Sequence, residues 1–166
     1  SLTRDPPSEA ASVSYDGLGD GVTFFTAPMG EATEVTGPIA ARLYVESETE
    51  DADLFLVVRV FSPDMKEVIF AGALDPNTPV AQGWLRVSHR KLDPELSLPY
   101  RPYHTHDERQ PMTPGEVYEV EVEVWPTCIV APAGYRIALS VRGKDYEWPG
   151  GLSQGLETLG KGWHGC

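Results

Sequence analysis

A chain of 166 residues, 41% hydrophobic and 10% aromatic, has the material for one packed domain, which excludes wholesale disorder. Its net charge of −12, from 25 acidic against 13 basic residues, excludes a phosphate-backbone binder, because such proteins need clustered lysine and arginine. The same charge disfavours an anionic membrane surface, so neither nucleic acid nor membrane is an expected partner.

Fifteen prolines and sixteen glycines predict many turns between short strands rather than long helices. Residues 1–11 are polar with two prolines and read as a linker. Ser12–Tyr15 is a short strand candidate, closed by the turn Asp16-Gly17-Leu18-Gly19-Asp20-Gly21. Val22–Thr26 is a β-branched and aromatic run ended by Pro28. Thr33–Val35 then leads through Gly37-Pro38 into a strand with Ile39, Ala41, Leu43 and Val45 on one face. After the acidic loop Glu46–Asp53, Leu54–Phe61 is apolar at nearly every position, the pattern of a strand covered on both faces. Ser62-Pro63-Asp64-Met65 is a turn, Glu67–Leu74 its return strand, and Gln82–Lys91 a further strand around Trp84 and Leu85. Asp93 to Pro114 is a long loop punctuated by proline. Tyr118, Val120, Val122 and Val124 alternate with glutamates, Trp125-Pro126-Thr127 reads as a turn, and Gly134–Leu139 alternates again.

About eight strands at this spacing predict an all-β fold, a jelly-roll β-sandwich spanning residues 12–146. Residues 147–166 form a Gly-rich C-terminal segment without clear periodicity. The chain opens without an initiator Met, and both ends predict a piece cut from a longer protein. Cys128 and Cys166 are too few and too scattered for a disulfide framework, so free thiols and a cytoplasmic rather than secreted location are expected.

Several motifs carry a family pattern. Glu34-Val35-Thr36-Gly37-Pro38-Ile39-Ala40-Ala41-Arg42-Leu43-Tyr44-Val45 is followed by Asp51-Ala52-Asp53-Leu54 and Val60-Phe61-Ser62-Pro63-Asp64. Then come Leu85-Arg86-Val87-Ser88-His89-Arg90, Pro114-Gly115-Glu116-Val117-Tyr118, Pro126-Thr127 and Gly134-Tyr135-Arg136-Ile137-Ala138-Leu139. In this order they resemble the C-terminal domain of the X-Pro dipeptidyl-peptidase family, shared with the cocaine-esterase-like acyl hydrolases. The resemblance runs from about Val22 to Asp145 and implies a sandwich of the galactose-binding type. It also implies an α/β-hydrolase catalytic domain in the same parent chain, with the Ser-His-Asp triad located there.

Four features compete for a function within the chain. Gly151-Leu152-Ser153-Gln154-Gly155 matches the nucleophile-elbow pattern, but no buried strand precedes it, and Glu157 and His164 follow too closely to complete a triad across a sheet. His104 and His106, on one side of an extended segment with Asp107 beside them, resemble a metal pair but lack a third ligand. No metal site and no cofactor are therefore expected, and the acidic run Glu46, Glu48, Glu50, Asp51 and Asp53 reads as solvated, since it follows no calcium-loop spacing. Glu119, Glu121 and Glu123 are expected to meet Arg136 and Arg142 on the following strand, if the two strands pair.

The aromatic residues exceed what the polar faces of a core require. Tyr44, Trp84, Tyr103 and Trp125 are the candidate interdomain or ligand surface. The expected function is a non-catalytic domain that braces a serine hydrolase and helps wall its cleft. A carbohydrate-binding module is the alternative, and it would require coplanar exposed aromatics.

Overall fold

The computed structural model describes residues 11–70 and 78–146. Two antiparallel sheets face each other across one core. The strands are β1 (Val22–Phe25), β2 (Thr33–Val45), β3 (Asp53–Phe61), β4 (Ala81–Arg86), β5 (Tyr118–Ala131) and β6 (Arg136–Arg142). The larger sheet runs β1-β6-β3-β4 and the smaller pairs β2 with β5.

The period-two pattern explains both layers. Along β5, Val120, Val122 and Val124 are buried while the alternating glutamates face outward. Ile39, Ala41, Leu43 and Val45 of β2 pack on the same cluster. Leu54, Leu56, Val58, Leu85 and Val141 meet them from the larger sheet. Burying each such side chain stabilises by about 1.5–3 kcal/mol, which drives the two layers together.

β3 is apolar at every position but Asp53 and Arg59 because it lies between β6 and β4 and is covered on both faces. Its inward residues are in the core. Outward, Phe61 stacks edge-on against Phe25 at 5.1 Å, and the Arg59 guanidinium lies between the Phe61 and Tyr146 rings. The sandwich expected from the alternation is therefore present, with six strands among the described residues.

The differences from the expected strands are local. Ser12–Tyr15 is not a strand, although Tyr15 packs against the core. The return segment after Pro63 makes only the single bridges Phe61↔Glu67 and Phe70↔Thr78, and residues 71–74 of it lie outside the described part. β4 stops at Arg86, and Val87–His89 turns as a 3-10 helix.

The largest correction concerns Trp125-Pro126-Thr127, which is not a turn. β5 runs on through it to Ala131, and the register against β2 shifts between Gly37 and Ile39. Gly37 faces Thr127 and Ile39 faces Val124, so Trp125 and Pro126 together oppose Pro38. A bulge leaves backbone groups out of the ladder, which is where two prolines can sit inside a strand pair. The long loop 90–117 closes one end of the sandwich, with Pro102 and Met112 buried in it. The Met112 amide donates to the Glu50 carbonyl at 2.7 Å, which ties that loop to the acidic one.

Candidate interaction surface

Gly83 sets the geometry of the most exposed aromatic cluster. A β-carbon at this position would stand 2.2 Å from the Glu123 carbonyl oxygen, so β4 meets β5 backbone to backbone. That approach brings the next residue, Trp84, to the end of the glutamate stripe. The Trp84 and Trp125 rings lie 5.1 Å apart at an interplanar angle of 72°. Trp84 Nε1 donates to Asp145 Oδ1 at 3.3 Å, so one face of the pair is fixed by the segment after β6. Trp84 is 40% exposed and Trp125 62%.

The four predicted surface residues do not form one patch. Tyr44 is 58% exposed but pairs with Glu119, six residues from Trp125 along β5, or about 20 Å at strand rise. A hydrogen bond with Glu119 raises its phenol above the ordinary tyrosine value. Tyr103 is 49% exposed on the long loop, with its amide held by Ser97 Oγ at 3.0 Å. Only Trp84 and Trp125 are brought together, edge to face. A 72° pair offers no flat platform for a sugar ring, which weighs against the carbohydrate alternative.

The glutamates meet a different arginine from the pair predicted. β5 and β6 lie in different sheets, so Arg136 and Arg142 never oppose the stripe. Arg42 of β2 does, donating from Nη2 to Glu121 Oε1 at 2.5 Å, with Glu119 3.4 Å from its Nε. Arg136 instead donates to the Thr26 carbonyl at 2.8 Å. Arg142 is buried on the outer side of the larger sheet, with its guanidinium 3.8 Å from Asp20. The alternation marked the outward charges, but sheet membership depends on long-range pairing that no local pattern carries.

His104 and His106 are not a facing pair. His106 has φ +53, a left-handed conformation that breaks the extended alternation and places its ring beside His89. Nδ1 of His106 and Nδ1 of His89 are 3.3 Å apart. Burial holds the His104 imidazole below the usual histidine range, and its Nε2 has no partner. Hydrogen bonds from Thr105 and Lys91 hold the Asp107 carboxyl below the ordinary aspartate value. No group of three or more His, Cys, Asp or Glu among the described residues is arranged to hold a metal.

The acidic residues near the loop serve the backbone. Asp51 Oδ1 accepts from the Ser88 and Ala52 amides at 2.9 and 3.0 Å, and Asp53 pairs with Arg86 at 2.8 Å. Asp16 Oδ1 caps its turn by accepting from the Leu18 amide. The Gly151–Gly155 motif lies outside the described residues.

One cluster had no counterpart among the sequence candidates. On the outer face of the larger sheet, Arg59 forms a two-pronged ion pair with Glu67, and Tyr146 Oη lies 3.2 and 3.3 Å from the two Glu67 oxygens. Ser140 Oγ shares this face with Thr23 Oγ1 at 2.8 Å. Arg59 as the lone charge in the apolar run of β3 was the available signal.

The fold and its surface thus define an accessory β-sandwich on which Trp84 and Trp125 stay exposed to solvent. Residues 1–152 match the family described as the X-Pro dipeptidyl-peptidase C-terminal non-catalytic domain, and the chain belongs to that family. A CocE/NonD family hydrolase from Staphylococcus aureus is similar at 30% identity and a TM-score of 0.74, over 78% of this chain and 24% of that one. A Mycobacterium bovis protein provisionally named a serine esterase is 29% identical over 132 residues, 75% of this chain and 19% of its own length. An α-amino acid ester hydrolase shares the fold at a TM-score of 0.57, with 16% identity over 80% of this chain and 19% of that one. The chain spans about a fifth to a quarter of the length of these proteins.

Proposed function

We propose that this chain is the non-catalytic β-sandwich of a larger serine hydrolase, bracing an α/β-hydrolase domain of the same polypeptide and helping to wall its cleft. The observation that carries it is the match of residues 1–152 to a family of non-catalytic C-terminal domains, with a CocE/NonD family hydrolase as a solved relative. The parent would cleave an ester or amide by serine attack on the carbonyl, with histidine as base and then acid. Trp84 and Trp125 support the reading, since paired exposed indoles at a sheet edge are suited to burial against another domain.

The test compares three preparations on an aryl ester and an X-Pro anilide: the full parent protein, the parent with residues 12–146 deleted, and the 166-residue chain alone. Turnover by the parent, loss of activity or solubility on deletion, and no turnover by the chain alone are expected. Hydrolysis by the purified chain, or a deletion protein as active and as heat-resistant as the parent, defeats the proposal.

A further inference from the structure

We propose that His89 and His106 form a two-imidazole site for a divalent metal ion that favours tetrahedral nitrogen coordination, with zinc the best fit. The two Nδ1 atoms stand 3.3 Å apart. Two imidazole nitrogens bound at about 2.0–2.1 Å across a tetrahedral angle are separated by about 3.3–3.4 Å. Without an ion the two rings are within hydrogen-bond distance of each other, one Nδ1 donating to the other, and a bound ion would take the place of that bond. A square-planar or octahedral ion would need the two nitrogens closer, near 2.8–3.0 Å at similar bond lengths.

The backbone holds both rings in place before any ion arrives. His89 ends the Val87–His89 turn, fixed by Arg90 N donating to Val87 O at 3.1 Å and Gln110 N donating to Ser88 O at 2.7 Å. The strand-like bridge Leu92↔His104 and the bonds from Thr105 N to Lys91 O and from Asp93 N to Tyr103 O bind the second segment to the first. At His106 the φ of +53 is a conformation few residues other than glycine adopt, and it turns this ring toward His89.

The surroundings suit a cation that completes its shell with water. His106 is exposed, so two coordination positions are open to solvent. Asp107 and Glu108 add negative charge nearby, partly offset by Lys91 at 2.9 and 3.3 Å from their carboxylates. His104 lies 6.0 Å from His106 between ring centres and is not one of the two ligands. With both rings neutral, the one that carries its hydrogen on Nδ1 moves it to Nε2 when the ion binds, and no proton is released.

The test uses chelator-treated full chain and zinc chloride, read by calorimetry and by the imidazole nitrogen resonances. His164 and the cysteines can bind zinc elsewhere, so the quantity that decides is the difference from variants. One zinc equivalent is expected to disappear in both His89→Gln and His106→Gln, or to weaken at least about tenfold, with the Nδ1 resonances of both rings moving in the unaltered chain. His104→Gln is expected to keep that equivalent. Thermal melting confirms that the variants are folded, and His106→Gln, in an exposed loop position, decides the matter if His89→Gln is not. Equal zinc binding by the chain and His106→Gln overturns the proposal, as does zinc binding lost only in His104→Gln.

Discussion

Two ion pairs in this chain have similar geometry and opposite importance. Arg42 and Glu121 approach to 2.5 Å on the open face of the smaller sheet, where the arginine is 61% exposed and water screens the pair from that side. Arg59 and Glu67 are mostly enclosed, with their side chains 20% and 10% exposed. Arg42→Ala is therefore expected to leave urea unfolding unchanged within error. Glu67→Ala strands a guanidinium on a sheet face and should cost about 3 kcal/mol, near the low end for a buried pair. Replacing both Arg59 and Glu67 by methionine and leucine should recover most of that loss, because the penalty lies in the unpaired charge. Tyr146 adds a pH signature to the same cluster. Burial pushes its phenol up to about 12 from 10.0. The raised value means that the neutral form stabilises the fold. That contribution is full below pH 10 and is lost as pH rises toward 12. Denaturation midpoints measured from pH 8 to 11.5 should fall more steeply for the unaltered chain than for Tyr146→Phe. Asp51 shifts the other way: burial opposes its charge, but hydrogen bonds from Ser88 and the Ala52 amide outweigh it and lower its value below 3.8. Its contribution is full above the unfolded value and is lost as pH falls through the lower folded one. Asp51→Ala, by leaving two amides without their acceptor, should cost about 1–3 kcal/mol at neutral pH and progressively less as pH falls through the lowered folded value.

At the scale of elements, β4 depends on one missing side chain. Gly83 lets its backbone lie against the Glu123 carbonyl, and an alanine there forces β4 away from β5. Gly83→Ala should lose roughly 3 kcal/mol or more in a denaturation experiment, the range for overfilling a packed contact. Gly115 is the useful comparison: its φ is +82, but nothing lies within 4 Å of a β-carbon there. Gly115→Ala should cost only about 1–2 kcal/mol, through backbone strain alone. Strand positions were legible in the sequence wherever one face was buried, as in Tyr118–Val124 and Ile39–Val45, since alternation records burial directly. The continuation of β5 past Pro126 was not legible. Proline marks a turn by local rules, and only the facing Pro38 makes a bulge of it. Exposure of Trp84 and Trp125 followed from their place on polar faces, whereas the companion of His106 lies seventeen residues back in another turn. No periodicity links those two positions.

At the scale of the whole molecule, the charged and the aromatic surfaces adjoin on the outward face of β5 but differ in chemistry, and that difference predicts how a second domain would bind. The chain carries 25 acidic residues, and the open face of β5 presents three of them in a row with one neutralising arginine. A partner seated on that stripe would bind through exposed charge and lose affinity as salt rises. A partner seated at the Trp84–Trp125 edge would bind mainly by burying indole surface, and salt would matter little. On the proposed accessory role, the catalytic part of the parent protein sits at the tryptophan edge. Added to this chain in trans, that part should shift tryptophan emission to the blue and slow amide exchange along β4 and the Val124–Thr127 stretch of β5. Trp125→Ala should weaken association at least about tenfold, the usual effect of truncating a central aromatic contact. Glu119→Gln with Glu123→Gln should leave it nearly unchanged between 50 and 500 mM salt, concentrations chosen on either side of the ~10 Å screening length at 0.1 M. Exchange protection confined to the glutamate stripe, together with binding that collapses at high salt, would place the partner on the charged stretch of that face instead. The tryptophan pair would then be a packing feature of the β4–β5 contact that Gly83 makes possible.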